Sequence, residues 1–409
     1  MGFRHRQLKI KKIELLYFLL LIPFFKLLSL GMFQEHGFQT SFFRALENIT
    51  DVLRVLAALM GYLLSVKSMF KKKWLSKTGK WLIIMFAAQA MSCLLNRSIG
   101  WFFTVKAFSY IGFVLLCNWI NEYSVERGLH VDRFFFKWLT IFGVISIFIF
   151  PLGFLHADRV YTAVYFLGGK NAAFPFYYLF LLSWYLLSMM KQKKLPHFWY
   201  IPLIVMILAA VVCQSVSTLI TLILVGLVCV LYLRIRPKIR IGVLFAALGT
   251  ILGAIYIGVS MPAISRLLLL FGRNSTFSHR TILWKQAAYY IAASPIYGGG
   301  YSLTYNIWGE ITDHAHGWYI DSLAKYGLLA FIPFLMVMLN TMKGLNKEKD
   351  RILASFMGLL LLVYLLHMGF DDYNFNFFVL IIMIIDGIVK QRSITQKSGK
   401  GIKIILKGQ

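Results

Sequence analysis

An all-α, polytopic membrane protein is the fold class this sequence predicts, and three observations carry the prediction. Of 409 residues, 59% are apolar and only 14% are charged, whereas soluble domains carry roughly 25% charge. The mean hydropathy is +0.70. The apolar residues fall in continuous blocks of about 20, which match the hydrocarbon thickness, and not in the alternating ten-residue segments of a β-barrel. Together these exclude a soluble enzyme, a disordered chain and a disulfide-rich secreted scaffold. With no internal repeat, low-complexity tract or separate soluble domain, residues 1–409 read as one integral membrane domain.

The first block, 13–33, follows Arg4, Arg6, Lys9, Lys11 and Lys12. It is over-long, contains Lys26 and lacks a small-x-small cleavage site, so it reads as an uncleaved anchor and not a signal peptide. Further blocks fall at 51–69, 81–96, 99–119, 135–155, 173–190, 198–213, 215–233, 240–260, 319–341, 353–370 and 373–389, giving about 12 transmembrane helices. With the N-terminus in the cytoplasm, 31 Lys and Arg fall in cytoplasmic segments and 8 in outer ones. Cytoplasmic loops are enriched in these residues. The count therefore places both termini and the 67–80, 191–197 and 343–351 loops inside. The net charge of +27 sits in short clusters between apolar blocks, which suits anionic headgroups and argues against a nucleic-acid partner. Cys93, Cys117, Cys213 and Cys229 all lie in apolar blocks without CxxC or CxxH spacing and read as buried packing residues.

One link departs from the rest. Residues 261–318, before the tenth helix, form one large extracytoplasmic loop, and long ordered loops are usually functional. Arg266, Arg273 and Arg280 recur every seven residues within it. The stretch 281–293 is amphipathic and too short to span, so it is expected to lie along the interface. Gly298-Gly299-Gly300 permits a tight turn or a close backbone approach. Glu310, Asp313, His314 and His316 then lead into the tenth helix. His and carboxylates suit zinc, but HxH spacing alone does not make a metal site, and no metal or cofactor is expected. An imidazole can instead take a proton from a hydroxyl at neutral pH, and guanidinium groups bind phosphates in bidentate fashion. A base beside arginines on the outer membrane face suggests a lipid-phosphate substrate. Activated sugars outside the cell come on polyprenyl-diphosphate carriers.

The stretch HRTILWKQAAYYIAASPIYGGGY resembles the R-x-x-x-W…P-x-x-G-x-G signature of the O-antigen ligase and Wzy-type polysaccharide polymerase superfamily, at Arg280, Trp284, Pro295, Gly298 and Gly300. HGWYIDSLAKYGLLA resembles its H-[N/S/Q]-x9-G-x-x-G signature at His316 and Gly327, with Gly317 and Ala330 departing from it. CQSVSTLITLI resembles the family's S-R-[T/G] helix start, with Val216 where an arginine is often found. The resemblance implies a bacterial plasma-membrane glycosyltransferase. It would move an undecaprenyl-diphosphate-linked oligosaccharide by metal-independent, inverting transfer. His316 would be the general base and Arg280 the diphosphate clamp, with Arg266, Arg273, Arg54 and Lys106 as further candidates for phosphate contact. Asp313, His314 and Glu310 are local candidates for orienting the base. Asp371 and Asp372 are candidates for sugar contact. Membrane lipids, a chain-length regulator and a flippase are the expected partners.

Two reactions compete within that superfamily: polymerisation onto another lipid-linked repeat unit, and ligation to a lipid or protein acceptor. Abundant Lys and Ile point to a low-GC genome and favour polymerisation of capsule or exopolysaccharide. A flippase or transporter is the reading from another class. It would show paired half-repeats with interrupted helices and its charges mid-membrane rather than in one loop; no symmetry between the halves is apparent.

Overall fold

The computed structural model describes residues 2–25, 40–69, 75–98, 101–156, 159–258, 280–371 and 375–397. Every expected apolar block overlaps a helix. In chain order these are α1 (Gly2–Leu21), α2 (Thr40–Met69), α3 (Lys77–Leu95), α4 (Trp101–Ile149), α5 (Phe174–Gln192) and α6 (Tyr200–Val212). They continue as α7 (Val216–Arg234), α8 (Ile241–Gly258), α9 (Arg280–Ala293), α10 (Trp318–Lys347), α11 (Arg351–Met368) and α12 (Asn376–Lys397). Local signals set several ends. The Ser76 side chain accepts from Gly79 N–H at the start of α3, and Asp350 accepts from Leu353 N–H at the start of α11. Both satisfy orphan donors of a first turn.

Among the described residues, five helices are long and apolar enough to cross a membrane: Asn48–Val66, Lys77–Leu95, Val216–Arg234, Trp318–Lys347 and Arg351–Met368. Their packing fits that reading. α5, α11 and the first half of α12 are buried on nearly all sides, as helices apolar all round must be. The outer helices instead turn apolar stripes outward at helical spacing: Leu56, Leu59 and Leu63 on α2, Ile201, Ile204 and Leu208 on α6, Ile220, Ile223 and Leu227 on α7. Continuous exposed apolar faces of this kind suit lipid rather than water.

Three details depart from the expected helices and links. The segment 120–134, expected as a loop, is helical: α4 runs through it with a kink at Ser124 (φ −179, ψ 119). The Ser124 hydroxyl accepts from Arg127 N–H (3.4 Å) and restarts the helix. Lys191 pairs with Glu126 (3.2 Å), fixing the charged turn against α5. Secondly, two of the links in this mostly helical fold carry short strands. The link after α4 holds a three-stranded antiparallel sheet of β1 (Phe154–His156), β2 (Arg159–Tyr165) and β3 (Gly168–Gly169). The large loop adds a hairpin of β4 (Tyr305–Ile307) and β5 (Glu310–Thr312). Thirdly, the first helix stops at Leu21, with a 3-10 turn over Ile22–Phe24, because Pro23 disfavours helical backbone at the residue before it. Lys26, Arg266, Arg273 and Asp372 lie outside the described residues.

Candidate active site

The amphipathic stretch of the large loop forms α9, and its apolar side (Leu283, Trp284, Ala287) is buried. Beyond it, the Pro295–Gly300 turn docks on α10 where that helix breaks at Gly327 (φ 63, ψ −166). The break removes the helical partners of the Ala324 and Lys325 carbonyls. Those carbonyls accept instead from Gly299 N–H and Gly300 N–H, both at 2.8 Å. Leu328 and Leu329, freed by the same break, donate to the Pro295 and Ile296 carbonyls (2.9 and 3.0 Å). Four backbone groups freed by the break are thereby paired. A Cβ on Gly298 would collide with the Lys325 backbone, and one on Gly327 with the Ile296 carbonyl. The glycines of the two sequence signatures are therefore one interlocked joint.

The β4–β5 hairpin delivers residues 313–317 to the head of α10. There the Ala315 peptide is gripped on both sides: its N–H donates to Asp321 Oδ1 (3.1 Å), and its carbonyl accepts from Trp284 Nε1 (3.0 Å). His316 follows in left-handed backbone (φ 49), uncommon for a non-glycine residue and worth about 1–2 kcal/mol. Next comes Gly317, where the family pattern has a polar residue. A Cβ here would lie 2.9 Å from the Gly369 carbonyl oxygen, so the turn after α11 leaves no room for one.

Beside His316 lies a buried polar network drawn from four parts of the chain. Arg280 Nη2 pairs with Asp371 Oδ1 at 3.0 Å, with the two side chains 14% and 6% exposed. Asn171 Nδ2 also donates to Asp371 Oδ1 (3.4 Å). Its own Oδ1 accepts from the Ser215 hydroxyl (2.7 Å), which also faces Thr218 Oγ1 at 2.7 Å. The Ser217 hydroxyl also faces the Asp371 carboxylate. Burial works to raise the Asp371 carboxyl, but Arg280, His367, His316 and Ser217 together hold it below its usual range. It is an anion at neutral pH.

His316 moves the other way. Burial first, then the electrostatic influence of the neighbouring His314 ring and the Arg280 guanidinium, lowers it to about 4, while Asp371 and Asp313 oppose the shift. It is therefore neutral at pH 7 and free to accept a proton. Its ring meets that of His314 edge-on at 4.3 Å. His314 Nδ1 lies 2.7 Å from Asp313 Oδ1. Hydrogen bonding to His314, against the opposing effect of burial, keeps the Asp313 carboxyl well below its ordinary range.

The structure thus brings together Arg280, Asp313, His314, His316 and Asp371. Glu310 is exposed on β5. Lys106 stands over the Tyr301 ring at 5.3 Å, beside the glycine joint. Arg54 is engaged on α2 by Asp51 (2.7 Å) and the Pro23 carbonyl (3.0 Å). Sequence reasoning missed Asn171, Ser217 and His367. It flagged the helix start at 215–218 only through the missing arginine, and the three hydroxyls that face the network there are the part it overlooked.

Residues 201–335 match the Wzy_C family model, described as O-antigen ligase, as the motif resemblance led one to expect. The match runs from α6 to the middle of α10. It takes in Ser215–Thr218, Arg280, His316 and Gly327, and leaves out Asn171 and Asp371. No curated protein and no solved structure matches the chain.

Proposed function

We propose, from the O-antigen ligase domain that residues 201–335 carry, that this membrane protein is a polysaccharide polymerase. It transfers a glycan from a polyprenyl-diphosphate carrier to a hydroxyl of a second lipid-linked repeat unit. The observation that carries the reading is a neutral, half-buried His316 within electrostatic reach of a half-buried guanidinium, Arg280, inside that domain.

The chemistry follows from those two groups. The acceptor oxygen attacks the anomeric carbon from the face opposite the diphosphate, the bond to the diphosphate oxygen breaks, and the configuration inverts. The acceptor proton passes to His316, and the leaving diphosphate is stabilised by Arg280. A guanidinium has five N–H donors in a planar fork, and the ion pair from Nη2 to Asp371 orients that fork. Arriving diphosphate offsets the Arg280 charge that holds His316 low, so donor binding makes His316 a stronger base when it is needed. Positive charge and hydrogen-bond donors aimed at the departing group can supply the stabilisation a metal would otherwise give, and EDTA is expected to leave turnover unchanged.

The orientation we propose has twelve spans, both termini cytoplasmic and the 261–318 loop outside. It is supported by the 31-to-8 distribution of Lys and Arg. Because Cys93, Cys117, Cys213 and Cys229 are buried, they give little background labelling. A membrane-impermeant thiol reagent should then label Ser275→Cys in intact cells and not Ser398→Cys.

The family description favours a second reading, ligation of finished glycan to a lipid or protein. Lipid-linked glycans from a deletion strain separate the two. Accumulated single repeat units on the outer leaflet are the result expected here. Accumulated long chains would assign ligation, and accumulation confined to the inner leaflet would assign transport instead.

A further inference from the structure

An ion pair inside α10 has no place in the chemistry above. Asp321 and Lys325 are one helical turn apart, 8% exposed or less, and joined at 2.9 Å between Oδ2 and Nζ. Burying two charges inside apolar helices is costly, and a pair that only neutralised itself would be replaceable by apolar side chains. This pair does more than neutralise itself. Asp321 spends its other oxygen, Oδ1, on the N–H of Ala315 (3.1 Å). Lys325 donates to the carbonyl of Asp313. The two contacts land on the backbone on either side of His314, and the second side of the Ala315 peptide is already held by Trp284. A rigid helix thus grips residues 313 and 315, and His316 follows directly in the left-handed conformation.

We infer that Asp321 and Lys325 are positioning residues for the base: a charged staple on α10 that fixes the 313–315 backbone and so aims the His316 imidazole at the acceptor hydroxyl. Neither side chain needs to touch substrate. The glycine joint places the staple, since the Lys325 carbonyl is the one that accepts from Gly300. The Pro295–Gly300 turn and the His316 loop are therefore held by opposite ends of the same residue. Lys325 also lies 6.0 Å from the Tyr301 ring centre, which leaves its ammonium three partners and little freedom. Proton transfer needs heavy atoms within hydrogen-bond reach, and a displacement of about 1 Å costs on the order of 10²-fold, so backbone grip of this kind shows in turnover.

The inference rests on His316 being the base. The test uses full-length protein in nanodiscs with purified lipid-linked repeat units, reading kcat, donor KM and melting temperature for each variant. Lys325→Met should lower kcat by about 10²-fold with donor KM nearly unchanged. Lys325→Arg, which keeps a charged donor, should recover most of the loss. Asp321→Asn keeps the shape and an acceptor for Ala315 but loses the ion pair. It should lower kcat by about tenfold, and it decides the question if Lys325→Met does not fold. A rise in donor KM with kcat intact would make Lys325 a substrate ligand and overturn the staple. So would wild-type kcat in both variants while His316→Ala is inactive, or a loss that follows melting temperature and that Lys325→Arg does not rescue. Full activity in His316→Ala would overturn the functional reading itself, whatever the staple variants do.

Discussion

The head of α10 holds two neighbouring regions built in opposite ways. At the glycine joint, Pro295–Gly300 meets the break in α10, and the bonding is between backbones: four hydrogen bonds between 2.8 and 3.0 Å. At the polar network, Arg280, His316 and Asp371 meet through side chains, and the bonding is between charged and polar groups rather than backbones. Backbone bonds of this kind build a scaffold, whereas ionisable side chains gathered at one place are what an incoming charged ligand can meet. Gly298, Gly300 and Gly327 build the joint, Arg280 and His316 are the proposed acting groups, and Trp284 ties the two regions together through the Ala315 carbonyl.

Substitutions should therefore fail in different ways on the two sides. The largest effect is expected from Gly327→Ala. Its left-handed backbone alone costs roughly 1–2 kcal/mol, and the new methyl would strike the Ile296 carbonyl. Loss of folded protein, read by detergent-solubilised yield and melting temperature, is the expected outcome. A stable but inactive Gly327→Ala would move this glycine from the scaffold to the chemistry. Arg280→Lys comes next, with normal protein levels and turnover lower by about 10²–10³-fold, because an ammonium keeps the charge and loses the planar fork. A fully active Arg280→Lys would assign the clamp to another cation.

Asp371→Asn sharpens the comparison through pH. Asp371 favours the charged form of His316, so its neutralisation should lower the His316 pKa and move the acid limb of kcat/KM to lower pH. In the unaltered protein that limb should lie near about 4, the value of His316 in the free protein. The limb of kcat should lie higher, since bound diphosphate offsets Arg280. The same group sets a stability slope. The unfolded chain binds more protons than the folded one between the ordinary value of 6.5 and about 4. Stability therefore falls as pH drops through that window. An identical acid limb in His316→Gln would remove His316 as its source. The smallest effect is expected from Trp284→Phe, which leaves the Ala315 carbonyl unpaired at a cost of about 1–3 kcal/mol, seen in melting temperature more than in kcat.

Much of the fold was legible in the sequence because membrane thickness sets the length of apolar blocks, and α9 was legible because 281–293 repeats its apolar residues at helical spacing. The continuous helix through 120–134 was not. Its charged turn looks like a loop in one dimension and becomes a helix through the Ser124 cap and the Glu126–Lys191 pair. For the site, Arg280, Asp313, His314 and His316 could be found because one loop carries them. Asp371 could be noticed but not assigned, since its pairing with Arg280 spans 91 positions. Asn171 and the hydroxyls at 215–218 left no signal: small polar residues at helix starts are ordinary, and only the packing of α5, α7 and α11 turns them towards one carboxylate.

The central claim is that His316 takes the acceptor proton while Arg280 holds the donor, and the most direct test is His316→Ala on purified lipid-linked repeat units, with donor affinity measured separately from turnover. The account predicts turnover lower by about 10²–10⁴-fold, the usual contribution of general acid–base catalysis, with donor affinity little changed and EDTA without effect on either the variant or the unaltered protein. Wild-type turnover in His316→Ala, or abolition of activity by EDTA, would contradict it.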